Sequence, residues 1–123
     1  MPPPTVLVVE DDPVILRLLE VNFELEGFSV LLAHDGAEGI KVARAERPDV
    51  IITDIMMPKT SGLELVTTLK GDDATSGIPI ILLSAKAQTS DLKVGIEAGA
   101  DDYITKPFEP LDLVDRVNAL LSR

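Results

Sequence analysis

The chain has 123 residues and is 46% hydrophobic, which suits one globular domain with a real core and excludes wholesale disorder. Its 21 acids against 11 bases give a formal charge of −10. That argues against this domain gripping a phosphate backbone, which needs clustered Lys and Arg, and is compatible with cations or basic protein surfaces. With no cysteine in the chain, disulfides, thiol catalysis and cysteinyl metal sites are excluded.

The start, "MPPPTVLVVE", has no basic segment followed by a long apolar one, so it is read as lacking a signal peptide. No apolar run approaches the roughly 20 residues needed to span a bilayer. A soluble, intracellular protein is expected. "TVLVV" (5–9) reads as a strand buried on both faces, between prolines and acids. The pattern then switches to helical spacing, with Pro13 in the first turn and Gly27 as the stop. Its inward stripe is expected to be Ile15, Leu18, Leu19, Asn22 and Leu25. "FSVLLA" (28–33) is a second strand, and 36–47 a helix with Ile40 and Ala43 inward. "PDVIITD" (48–54) is the third strand, followed by a short helix closed near Gly71. "IPIILLSA" (78–85) is the fourth strand. The next helix has a Thr or Ser cap and Gly99 near its end. "DDYIT" (101–105) is a weaker fifth strand, and "PLDLVDRVNALLSR" a last helix with Leu113, Val114, Val117 and Leu121 inward.

Strand and helix thus alternate five times, at roughly one unit per 20–25 residues. Short connections between continuous apolar strands imply an α/β fold: a doubly wound, five-stranded parallel sheet with five helices on its two faces. No linker, repeat or low-complexity stretch interrupts it. One domain over residues 1–123 is expected, with 1–4 as a flexible N-terminal tail and no output domain after the last helix.

Ligands of open parallel sheets bind at the carboxyl ends of the strands, near the point where strand order reverses. The first strand ends on Glu10, Asp11 and Asp12, the third on Asp54, the fourth on Ser84, the fifth on Thr105 and Lys106 before Pro107. The second, ending near Ala33 and His34, is less informative. Acids, a hydroxyl and an ammonium therefore converge on one rim. Clustered carboxylates repel unless a cation sits among them. Oxygen ligands without His or Cys suit a hard ion, Mg²⁺ before Zn²⁺. An aspartate is also a possible nucleophile toward phosphorus, with metal and lysine offsetting the charge of the transferring group. Taken singly, each residue has a plainer reading. Asp54 suits a helix or turn cap. Glu10, Asp11 and Asp12 suit the N-terminal acids of the first helix, favoured by its dipole, Asp12 before Pro13 above all, and Ser84 or Lys106 an ordinary structural or solvated position. Their co-location favours the functional reading.

Four segments carry a family resemblance: "VLVVEDD", "VIITDIMMPKTSG", "IPIILLSAKA" and "GADDYITKPF". In this order and spacing the chain resembles the receiver domain of two-component response regulators, from about Thr5 to Leu121. The resemblance implies a flavodoxin-like, CheY-like strand order 2-1-3-4-5. It implies Asp54 as phosphoacceptor. Mg²⁺ (or Mn²⁺) would be held by Asp11, by Asp54, by the main-chain carbonyl of Met56 and, through water, by Glu10. Ser84 and Lys106 would contact the phosphoryl group, with Lys106 paired to Asp54 in the free state, and a cis bond would precede Pro107. Tyr103 would be the switch aromatic, turning inward as Ser84 moves; its plainer reading is a half-buried strand residue. Met56 and Lys86, two residues beyond acceptor and hydroxyl, fall where such domains tune phosphoryl lifetime.

The resemblance further implies a bacterial, cytoplasmic phosphoprotein. It would be no conventional enzyme, yet would catalyse its own phosphorylation from small phosphodonors and its own dephosphorylation. Its partners would be a sensor histidine kinase or histidine phosphotransfer protein, then a downstream protein or output domain, with no direct nucleic-acid or membrane contact. The output face would comprise the fourth helix, fifth strand and fifth helix, roughly residues 89–121. Many DNA-binding regulators carry basic residues on that fourth helix for a charged dimer face, where this chain has Leu92 and Val94, although Arg116 and Asp101–Asp102 remain. Three other readings compete. A haloacid-dehalogenase-type phosphatase wants a second acid where Met56 stands. A flavin carrier wants a Gly- and hydroxyl-rich phosphate loop after the first strand. A pseudo-receiver would bind partners without being phosphorylated. Stand-alone regulator and receiver of a longer protein both remain open.

Overall fold

The computed structural model describes residues 2–57, 60–85 and 89–122. Five strands alternate with five helices: β1 (Thr5–Val9), α1 (Pro13–Leu25), β2 (Ser29–Ala33), α2 (Gly36–Glu46), β3 (Val50–Asp54), α3 (Gly62–Lys70), β4 (Ile80–Ala85), α4 (Thr89–Glu97), β5 (Asp102–Lys106) and α5 (Pro110–Leu121). All strand pairs are parallel, and the order is β2-β1-β3-β4-β5. The chain leaves β1 for β2 on one side and returns to β3 on the other. The reversal therefore lies between β1 and β3, and a crevice opens there at their carboxyl ends.

The strands read as unbroken apolar runs because both faces are covered. Val6, Val8, Val50, Ile52, Ile81, Leu83 and Ile104 pack under α1 and α5. Their alternating neighbours Leu7, Val9, Ile51, Ile80 and Leu82 pack under α2 and α3 with Ala43, Leu65, Val66 and Leu69. Only Ile104 is buried on β5, an edge strand, which accounts for its weaker apolar pattern. Strand starts are shifted where side chains take over backbone pairing. Asp49 accepts from Thr5 N at 2.7 Å ahead of β3. Asp101 accepts from Ile80 N at 2.9 Å and from Lys70 Nζ at 3.1 Å ahead of β5.

The buried stripe of α1 differs from the expected one. Leu16, Leu19 and Phe23 are buried, whereas Leu18 is 43% and Leu25 80% exposed. Ile15 packs at the edge of the core. Phe23 decides the rotation of the helix. It is the largest side chain there, and its ring stands edge-on to Phe28 with centroids 5.1 Å apart, a favourable quadrupole arrangement. Asn22, expected on the inner stripe, instead donates to Leu18 O on the exposed side. Gly27 follows α1 at φ 91° and Gly99 follows α4 at φ 120°, left-handed conformations that end helices readily with glycine. On α5, Leu113, Val114 and Val117 are buried as expected, with Leu121 packed at the core margin. The expected caps of α4, Thr89 or Ser90, fall inside the helix, which begins at Thr89. Among the described residues no helix is long and apolar enough to cross a membrane.

Candidate functional site

The crevice between β1 and β3 gathers the acids. Glu10 follows β1 and is fully buried, and Asp54 closes β3 at 7% exposure. Asp11 is exposed at the rim. Carboxylate oxygens of Glu10, Asp11 and Asp54 all lie within 4.8 Å of one another. Lys106, the last residue of β5, reaches across the sheet end. Its Nζ donates to Glu10 Oε1 and to Asp54 Oδ2, each at 2.9 Å. Ser84 is buried at the end of β4, opposite Thr105, and its hydroxyl donates to Ala85 O at 3.0 Å. The bond between Lys106 and Pro107 is cis, as expected.

The electrostatics follow from burial. Desolvation pushes the Glu10 carboxyl up to about 7, the Lys106 hydrogen bond opposes that rise, and the Asp54 carboxylate adds to it. Burial disfavours the Lys106 ammonium, yet its hydrogen bonds to Glu10 and Asp54 outweigh this and raise its pKa. The lysine is thus held charged between two buried acids.

This donor set fits a small hard cation. It offers oxygens only, without His or Cys, as Mg²⁺ prefers over softer metals. The three carboxylates lie close enough together that one small ion would be shared among them. Glu10, Asp11 and Asp54 are the residues able to hold it. Met56, whose carbonyl is a further expected ligand, has a side chain 56% exposed.

Asp12 does not join them. Its Oδ1 accepts from Val14 N at 2.9 Å and caps α1, the plainer of its two readings. Asp12→Ala should lower stability by about 1 kcal/mol in urea titrations and leave Mg²⁺ affinity unchanged. Tyr103 points away from the rim at 43% exposure and lines an open groove of about 390 Å³ with Leu92, Lys93, Ile96 and Glu97. A second groove, of about 370 Å³, runs beside Lys106 between Ile15, Leu18, Pro107 and Phe108. Lys86 lies outside the described residues.

Sequence reasoning passed over the scaffold of the rim. Gly62 N donates to Ile55 O at 2.9 Å, so the chain after Asp54 folds back on itself. A Cβ on Gly62 would overlap the Asp54 carbonyl oxygen. Thr53, fully buried, donates its hydroxyl to Asp54 O at 3.1 Å. The signal was present in the glycine that closes "VIITDIMMPKTSG", but close approach of backbones is not visible in spacing alone.

Residues 6–118 match the family model described as "Response regulator receiver domain". The chain belongs to the response regulator receiver family. The receiver is 48% identical over 120 residues to the transcriptional regulatory protein PrrA of Mycobacterium tuberculosis, covering 98% of this chain and 51% of that protein. It is 42% identical over 118 residues to the DNA-binding response regulator MtrA of Mycolicibacterium smegmatis, covering 96% and 50%. It therefore spans about half the length of these curated relatives. Its fold matches the receiver domain of the Francisella response regulator 1452, with TM-score 0.89 and 38% identity over 98% of both chains. It also matches the receiver domain of sensor histidine kinase PA1611 from Pseudomonas aeruginosa PAO1. That structure has a magnesium ion coordinated in its active-site cleft; the TM-score is 0.91 and the identity 28%, over 98% of this chain and 99% of that one. The five-stranded 2-1-3-4-5 architecture is the one expected from the sequence. Neither the phosphatase nor the flavin-carrier reading is favoured.

Proposed function

We propose that this receiver accepts a phosphoryl group on Asp54 in a Mg²⁺-dependent reaction and relays the change to the face of α4, β5 and α5. The bridging of buried Glu10 and Asp54 by one ammonium, at 2.9 Å to each, supports the reading most directly. A cation placed between two buried acids is the free-state arrangement of a site built to gain a dianionic group. Transferred phosphoryl oxygens would find a charge partner already in place.

Glu10, Asp11, Asp54 and the Met56 carbonyl would hold the Mg²⁺, which when bound offsets negative charge on the phosphoryl oxygens. An Asp54 carboxylate oxygen attacks phosphorus and forms the new P–O bond. The donor's bond to phosphorus breaks, and its electron pair leaves with the donor. Lys106 then exchanges its bond to the Asp54 carboxylate for one to a phosphoryl oxygen. Ser84 exchanges its bond to Ala85 O for another phosphoryl oxygen. Turning of the Ser84 hydroxyl frees space next to β5, and Tyr103, now outside, turns inward. The switch is a population shift between two packings, biased by the new charge.

The donor would be a sensor histidine kinase or a histidine phosphotransfer protein of the cytoplasm. The apolar groove beside Lys106, continued by exposed Leu18 on α1, gives such a partner a surface next to the acceptor. The recipient would be an output domain or a downstream protein. Arg116 marks the output face. It donates to Asp102 Oδ1 at 3.1 Å and to Tyr103 O at 2.8 Å, tying α5 to the switch strand.

Intact mass after incubation with Mg²⁺ and acetyl phosphate tests the acceptor. One phosphoryl adduct is expected, abolished by EDTA and by Asp54→Asn. An adduct of equal yield on the Asp54→Asn protein would overturn the assignment. Beryllofluoride binding distinguishes a pseudo-receiver, which would take neither the adduct nor the mimic.

A further inference from the structure

We propose that Gly36, the first residue of α2, is a positioning residue for the cation site. The inference rests on the reading of Met56 as a carbonyl ligand and adds a residue on a helix that carries none of the site's acids. Both described ends of the connection between β3 and α3 are pinned. At its start, Ile55 is fully buried, its N–H donates to Leu83 O at 3.1 Å, and its carbonyl accepts from Gly62 N at 2.9 Å. At its end, the Thr60 carbonyl accepts from Gly36 N at 3.1 Å. The helix N-terminus thus holds the connection through one of its free backbone donors.

Only glycine permits this seat. A Cβ on Gly36 would overlap Thr60 O and lie 2.8 Å from its carbonyl carbon and 2.9 Å from its Cβ. Two of these atoms are backbone, so no side-chain rotation relieves the overlap. Nor is α2 free to withdraw. Asp35 Oδ1 accepts from Glu38 N at 2.8 Å and fixes its first turn. Gly39 sits against Val9 and Leu65, and Ala43 is buried in the core below. With Ile55 held by β4 and by Gly62, displacement of Thr60 bears on Met56, the residue after Ile55. Mg²⁺ tolerates little distortion of its octahedron. Changes outside the directly bound ligands typically weaken metal binding by about 10–100-fold.

Calorimetric Mg²⁺ titration of Gly36→Ala, beside wild type and Lys41→Gly, tests this. Lys41 is an exposed residue within α2, so its glycine variant weakens the helix without touching Thr60. The Kd of Gly36→Ala should rise about tenfold or more, while that of Lys41→Gly stays within about twofold. A folded Gly36→Ala protein that binds Mg²⁺ like wild type overturns the proposal. Should that variant not fold, hydrogen exchange of the wild-type Gly36 amide decides. Mg²⁺ saturation should slow it about fivefold or more relative to EDTA, and an unchanged rate overturns the proposal. Absence of Mg²⁺ binding by the wild type would instead overturn the reading of the acid cluster itself, and the role of Gly36 with it.

Discussion

Lys106→Ala is expected to lower the rate of phosphoryl uptake from acetyl phosphate by about 10²-fold or more, while Mg²⁺ binds as well as before or better. The two effects separate because the ammonium plays different parts in them. In the proposed reaction it is a preorganised charge toward the phosphoryl group, and removal of one such donor typically slows reaction by about 10²–10³-fold. Toward the acids it is a competitor, bonded to Glu10 and Asp54 at 2.9 Å each. Its loss leaves those oxygens to the metal. Stopped-time mass spectrometry gives the rate and calorimetry the affinity. Uptake at the wild-type rate would show that Lys106 is structural only.

The same substitution has a pH signature in EDTA. In the wild type Glu10 is raised from its ordinary 4.5 to about 7 by burial, so the folded state holds its proton more tightly than the unfolded one. That contribution to stability is fully present below about 4.5 and is lost as pH rises through about 7. Without Lys106 the opposing hydrogen bond is gone and the carboxyl rises further. Urea midpoints of the metal-free variant should therefore fall more steeply than those of the wild type as pH increases across this range. Breaking a buried ion pair leaves an uncompensated charge, typically worth 3–5 kcal/mol. Protonation of Glu10 offsets part of it at low pH, and added Mg²⁺ should restore stability at high pH. A parallel pH profile for the two proteins would contradict this account.

Gly62→Ala should be the more severe change for the fold. The new methyl would overlap the Asp54 carbonyl oxygen and stand 2.9 Å from Ile55 Cα. Those atoms are anchored by the Ile55 N–H bond to Leu83 O at 3.1 Å. The start of α3 has to move instead, and that helix carries the buried Leu65, Val66 and Leu69. Overpacking of this kind costs about 3 kcal/mol, sometimes more. Because the clash falls on the backbone of Asp54, the proposed acceptor, the yield of phosphoryl adduct should fall together with stability. Gly77→Ala serves as reference. Nothing lies within 4 Å of a Cβ there, and its stability should stay within about 0.5 kcal/mol of wild type or rise slightly. Equal urea midpoints for the two variants would refute the steric argument.

The alternation of apolar runs with helical spacing sufficed to place all ten elements, because strands buried on both faces leave no other pattern. The ends were less legible. β3 and β4 begin at Val50 and Ile80, later than the expected starts at 48 and 78, since Asp49 and Pro79 take the chain into the sheet by other bonds. The stripe of α1 was misjudged because two overlapping sets of apolar residues satisfy helical periodicity. Contact of Phe23 with Phe28, which sits beyond the helix, selects between them.

The site divides along the same line. The residue types at the strand ends are a property of the sequence: acids after β1 and β3, a hydroxyl on β4, an ammonium on β5. Parallel order carries all of those ends to one rim, so co-location was legible once the fold was. What each group does there depends on distances that no spacing encodes. Tertiary structure alone set Lys106 between Glu10 and Asp54, left Asp12 outside as a cap, and turned Tyr103 outward. It also brought backbones from separate elements closer to Gly36 and Gly62 than a Cβ allows. Sequence fixes local chemistry and periodicity, which act over a few residues. Burial, charge pairing and steric exclusion arise between residues far apart in the chain, and only the packed fold decides them.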